Sequence, residues 1–147
     1  MADIGFYHLT RTGADAVLAP LLGRTLAAKE RALVRVASAL RVTAVDAALW
    51  AATAPDWLPH GTARTGHPTL QPIWITDTDE NPNSARYLFL LDGLGAPPGE
   101  WSRIFDLFDG NDAAAISAAR LRWTAAKAAG HSLTYWQQGP SGWMKQA

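Results

Sequence analysis

Residues Arg86 to Leu91 read RYLFLL, an almost unbroken apolar run. A strand with one wet face alternates apolar and polar side chains. A strand apolar on both faces must be covered on both, as in parallel sheets flanked by helices. The chain therefore needs layers above and below a sheet, and its other segments supply them. Ile4 to Leu9 reads as an opening strand. Thr12 to Lys29 carries Val17, Leu18, Leu21, Leu22 and Leu26 at helical spacing. Pro20 either marks the start of that regular helix or kinks its first turns. Ala32 to Ala37 is a short apolar strand, and Thr43 to Ala52 an amphipathic helix that ends before Pro55. Residues 53–70 read as loop.

Gln71 to Thr76 (QPIWIT) is the next strand, followed by a polar turn, Asp77 to Ser84. A Gly/Pro loop, Asp92 to Gly99, follows the RYLFLL strand. Trp101 to Phe108 is expected to be a short helix. Asn111 or Asp112 can cap an alanine-rich helix that ends at Gly130, and Ser132 to Gln137 is a last strand. Strands alternating with helices predict the α/β class, a three-layer α/β/α sandwich around a mostly parallel, mixed sheet. No internal repeat or long linker divides the chain, so residues 1–147 are expected to form one domain.

Composition narrows the chemistry. There is no cysteine, which removes disulfides, thiolate catalysis and cysteine metal sites. The start, MADIGFYHLT, is not signal-peptide-like, and no apolar run approaches the ~20 residues of a membrane helix. A cytoplasmic chain off the membrane is expected. Formal net charge is zero but uneven: residues 113–147 carry four basic side chains (Arg120, Arg122, Lys127, Lys145) and no acidic one. Direct nucleic-acid binding needs many phosphate contacts, so any contact with nucleic acid is expected to be weak or indirect.

Catalytic and metal motifs fail at their demanding positions. Leu90-Leu91-Asp92 ends a strand on an acid, but no glycine-rich loop ending in Gly-Lys-Ser/Thr exists to hold phosphates. Gly93 and Gly95 are followed by prolines instead of a helix. Asp77, Asp79 and Asn81 imitate half a calcium loop, yet Pro82 stands where glycine is needed and Leu88 where glutamate is. His8, His60, His67 and His131 form no helical ligand pair, and Ser141 lacks a nucleophile-elbow context. No catalytic residue, metal or cofactor is expected. A nucleotide-handling enzyme using Asp92 and the Gly93–Gly99 loop stays open as an alternative, as does a single-stranded-DNA-binding module formed by the C-terminal segment.

Seven tryptophans are many for this length, and large rings are favoured at binding hot spots. On the alanine-rich helix, Arg120, Trp123, Thr124 and Lys127 fall at i, i+3, i+4 and i+7 in one stripe. Ala118, Leu121, Ala125 and Ala128 are expected to pack on another face. A stripe of two cations and one ring suits a short peptide with acidic residues and an aromatic or a terminal carboxylate.

The ordered set of segments resembles one family. Val45-Asp46-Ala47-Ala48-Leu49-Trp50 and then Trp57-Leu58-Pro59-His60-Gly61 are similar to the helix and loop of the chi subunit of bacterial DNA polymerase III holoenzyme. So are Phe6 to Leu9, Tyr87 to Gly93, Ile104 to Gly110, Ala119 to Trp123, and Ala129 through Gln138. The resemblance implies a non-catalytic subunit of the clamp-loader complex, monomeric before assembly, with two partners. One is a psi subunit, facing Trp50, Trp57, Leu58, Pro59 and His60. The other is the acidic C-terminal tail of single-stranded-DNA-binding protein, facing Arg120, Trp123 and Thr124 with Lys127 nearby. The chain departs from the family where Thr124 and Ile116 stand in place of basic residues.

Overall fold

The apolar run is a strand, β4 (Tyr87–Leu90), with a parallel neighbour on either side. The computed structural model describes residues 2–52, 58–97 and 99–147. The chain runs through β1 (Asp3–Leu9), α1 (Ala14–Ala27), β2 (Ala32–Arg35), α2 (Ala39–Ala51), a 3-10 turn (Pro68–Leu70), β3 (Ile73–Thr76) and β4. It continues through β5 (Arg103–Asp109), α3 (Ala113–Ala128), β6 (Ser132–Gly139) and β7 (Gly142–Lys145). One sheet has the order β3-β2-β4-β5-β1-β6-β7, parallel except for the β6–β7 hairpin.

Period-two alternation splits the sheet residues between two cores. Phe89, Leu91, Phe105, Leu107 and Val34 face α1 and α2. Leu88, Leu90, Ile104, Phe108, Phe6 and Leu33 face the other side, beneath α3 and the loops that carry Ala85 and Trp101. The expected α/β/α layering and mostly parallel, mixed sheet are found.

Local chemistry explains most boundaries. Ser38 Oγ accepts from the Arg41 N–H and starts α2 four residues earlier than its apolar spacing suggested. Helix α1 runs through Pro20, which sits on the solvent side. The polar turn after β3 is spent on the fold: Trp74 Nε1 donates to Glu80, Asp79 pairs with Arg35, and Asn81 bonds Ala85 in both directions.

One element differs in kind. The expected helix at Trp101 to Phe108 is instead strand β5, with Trp101 buried just before it. The apolar pairs Ile104-Phe105 and Leu107-Phe108 flank Asp106, and that gap imitates helical spacing. Asp106 is in fact an inward residue of a strand covered on both faces.

Two adjacent strands send their crossovers to opposite faces. From β1 the chain crosses through α1 towards β2, and from β5 it crosses through α3 to β6. Such a switch point opens a crevice at the carboxyl ends of the strands. Here it measures about 790 Å³ and is lined by Thr12, Gly13, Asp92, Gly93, Asn111 and Arg122 among others.

Candidate peptide-binding surfaces

Helix α3 starts where Asp112 Oδ1 accepts the Ala114 N–H at 3.0 Å. Its inward side consists of Ile116, Ala119, Trp123 and Ala126. Of the residues expected to pack on another face, Ala118 is half-buried, but Leu121 is 74% exposed and Ala125 and Ala128 are exposed too, which corrects that expectation for these three. Alanines on every side blur the apolar stripe of this helix, and the tryptophan decides which face turns in.

Trp123 is therefore half-buried, not a free ring. It lies edge-on to Phe6 at 5.3 Å and to Tyr135 of β6 at 5.9 Å between centroids. Tyr135 Oη in turn sits 2.6 Å from His8 Nδ1. Burial pushes the Tyr135 hydroxyl pKa up, and the nearby Arg120 charge partly offsets this. A Cβ on Gly110 would fall on the His8 ring, so only glycine leaves room for it.

One turn before Trp123, Arg120 is exposed, and Lys127 is exposed one turn after. Among the described residues neither is paired with a carboxylate. Thr124 is exposed and its hydroxyl donates to the Arg120 carbonyl at 3.0 Å. The stripe is thus two unpaired cations beside a half-buried aromatic floor shared by α3 and β6.

Sequence reasoning missed the partner of Asp106. Arg122 donates to it through Nε at 2.7 Å and Nη2 at 2.9 Å, a fork that joins α3 to β5. Burial holds the Asp106 carboxyl above the usual carboxylate range, with Arg122 pulling the other way. The available signal was a lone acid inside an apolar run, which demands a buried cation. Asp92, at the end of β4, is likewise spent: it accepts from the Ala37 N–H and from Arg41, which also pairs with Asp15.

The second surface lies at the end of α2. Trp50 is 67% exposed and its ring centroid is 4.8 Å from that of His60. His60 Nδ1 donates to the Leu58 carbonyl at 2.7 Å, and Nε2 is 3.0 Å from Asp46 Oδ1. The Nε2–Asp46 approach lacks hydrogen-bond geometry, so it is the packing of the His60 ring on Trp50 that joins the loop to the helix. Leu58 and His60 are each only 7% exposed, and Pro59 is half-buried. Of the described residues of this set Trp50 offers the outward surface, while Leu58 and His60 are buried and the His60 ring lies against Trp50. Trp57 lies outside the described residues.

No helix among the described residues is long and apolar enough to cross a membrane. No curated protein matches the chain. The family model described as DNA polymerase III chi subunit, HolC, matches residues 1–134, from β1 through α3 and into β6. The chain therefore belongs to the chi-subunit family of DNA polymerase III, an accessory component of that replicative assembly.

Proposed function

We propose that this chain is a non-catalytic, cytoplasmic adaptor of the polymerase III clamp-loader complex. Its α3–β6 surface captures the acidic C-terminal tail of single-stranded-DNA-binding protein. The set Trp50, Trp57, Leu58, Pro59 and His60, with Trp50 exposed at the end of α2, receives a psi-type partner. The observation that carries the first half is Arg120, exposed and unpaired among the described residues, one turn from the Trp123–Tyr135 floor.

The stripe supplies about half of the energy that a micromolar peptide complex needs, and the rest of the peptide must supply the remainder. A micromolar complex needs about −8 kcal/mol. A charge-assisted carboxylate bond contributes roughly 1.5–3 kcal/mol and a hot-spot ring about 2 kcal/mol or more. Arg120, Trp123 and a nearby Lys127 supply those elements, with Thr124 at the rim. Calorimetric titration of the acidic tail peptide should show binding that weakens with salt, and Arg120→Ala should weaken it about tenfold or more. Equal affinity in native and variant proteins would remove Arg120 from the site and sink this reading.

A further inference from the structure

The aromatic floor of the α3–β6 surface ends on a titratable pair. Tyr135 Oη of β6 lies 2.6 Å from His8 Nδ1 of β1, so one hydrogen joins them and either atom can donate it. The His8 ring is held in place: its centroid is 5.2 Å from that of Phe108, and Gly110 leaves it no spare room. Its Nε2 has no hydrogen-bond partner among the described residues and is not sealed from water, so it can take up a proton. The charged groups around the pair are mostly engaged. On β5, Asp106 is held by the Arg122 fork of α3, and Asp109 accepts the Asn111 N–H. Asp112 caps α3, Arg11 beyond β1 is exposed, and β6 brings no charged side chain. None of these carboxylates pairs with His8. From α3, Arg120 lies near enough for its charge to bear on the Tyr135 hydroxyl, and Lys127 follows two turns along.

Which atom donates decides what the surface offers. A neutral His8 that accepts at Nδ1 draws the tyrosine hydrogen inward. A protonated imidazole donates from both nitrogens, so the Tyr135 oxygen must accept and its own hydrogen is released to the surface beside Arg120. We propose that His8 and Tyr135 extend the carboxylate site of the α3–β6 surface: with His8 protonated, the Tyr135 hydroxyl donates to a peptide carboxylate held by Arg120. Tyr135 is the contacting residue and His8 the positioning one. The inference rests on the tail-binding reading and adds a pH dependence to it. Its sign follows from linkage. An anionic ligand favours the charged imidazole, so the complex holds more protons than its separate parts, and affinity rises as pH falls. Histidine makes this change between about pH 5 and 8, where peptide carboxylates stay ionised.

The test is calorimetric titration of the full chain with an N-acetylated peptide of the acidic tail, at about pH 8 and about pH 6. Ionic strength is held constant, and two buffers of different ionisation enthalpy report proton uptake. The native chain should bind about tenfold more tightly at the lower pH and take up protons on binding. His8→Gln keeps a hydrogen-bonding side chain that does not titrate, so its affinity should be the same at both. Tyr135→Phe keeps the ring, and should weaken binding about tenfold at the lower pH and little at the higher. A merely structural role would weaken both alike. Equal native affinity at the two pH values without proton uptake overturns the proposal and leaves the tail-binding reading standing. So does a pH dependence that persists unchanged in His8→Gln. No binding at either pH overturns both. Should one variant lose the fold, the other and the native profile decide.

Discussion

Arg122→Met should cost about 3–5 kcal/mol of folding stability, because it leaves Asp106 ionised and alone in the core. The Asp106 side chain is 4% exposed, and Arg122 supplies both of its side-chain partners. A loss of that size is a large part of the roughly 5–15 kcal/mol that holds an ordinary domain together. The penalty should depend on pH, with a definite sign. Burial already raises the Asp106 pKa despite Arg122, and removing the arginine raises it further. A carboxyl that binds its proton more tightly in the folded state destabilises the fold when ionised. That cost is absent below the unfolded value of about 3.9 and complete once the pH exceeds the folded value. The stability gap between variant and native chains should therefore be full at neutral pH and shrink on acidification. Urea unfolding at several pH values reads it directly. The double variant Arg122→Met/Asp106→Leu should recover most of the loss, since an apolar pair of similar volume replaces a buried ion pair without penalty. A single variant as stable as the native chain would mean the pair is solvated.

Phe89→Ala should be similarly severe, at about 3–5 kcal/mol. Phe89 is fully buried in the middle of β4 and stacks on Phe105 at 4.3 Å with the rings 3° apart. Its removal opens a hole between β2 and β5 that α1 and α2 cannot collapse to fill. The urea midpoint should fall while the slope of the transition stays constant, as expected when stability changes and compactness does not. Phe89→Leu should cost far less, about 1 kcal/mol. Equal losses for the two variants would show that cavity volume is not the cause.

The central sheet was legible where its strands are apolar and the preceding helix carries spaced leucines. β4 and the α1 stripe of Val17, Leu18, Leu21 and Leu22 were readable for that reason. Strand β5 was not, because Asp106 interrupts its apolar run, and only the folded chain brings Arg122 across to neutralise it. Strand β7 went unread, since Gly142 to Lys145 is short and its pairing with β6 depends on a turn at Pro140 and Ser141. The inward face of α3 differs from the expected one because alanine marks no face and Leu121, which is exposed, points away from the side where Ile116 and Trp123 pack. At the candidate surfaces, exposure was not legible in the sequence. Arg120 and Trp50 are outward, whereas Leu58 and His60 are buried supports. The network of Gln138 with Thr10, Arg11 and Thr12 joins residues more than a hundred positions apart, which no local pattern records.

The proposed adaptor role requires the α3–β6 surface to bind an acidic protein tail. The most direct measurement is size-exclusion co-elution of the full chain with single-stranded-DNA-binding protein, intact and lacking its C-terminal tail. Co-elution with the intact protein, lost both on tail removal and in Arg120→Ala, is the expected result. Co-elution that survives tail removal, or none with the intact protein at low salt, would contradict it.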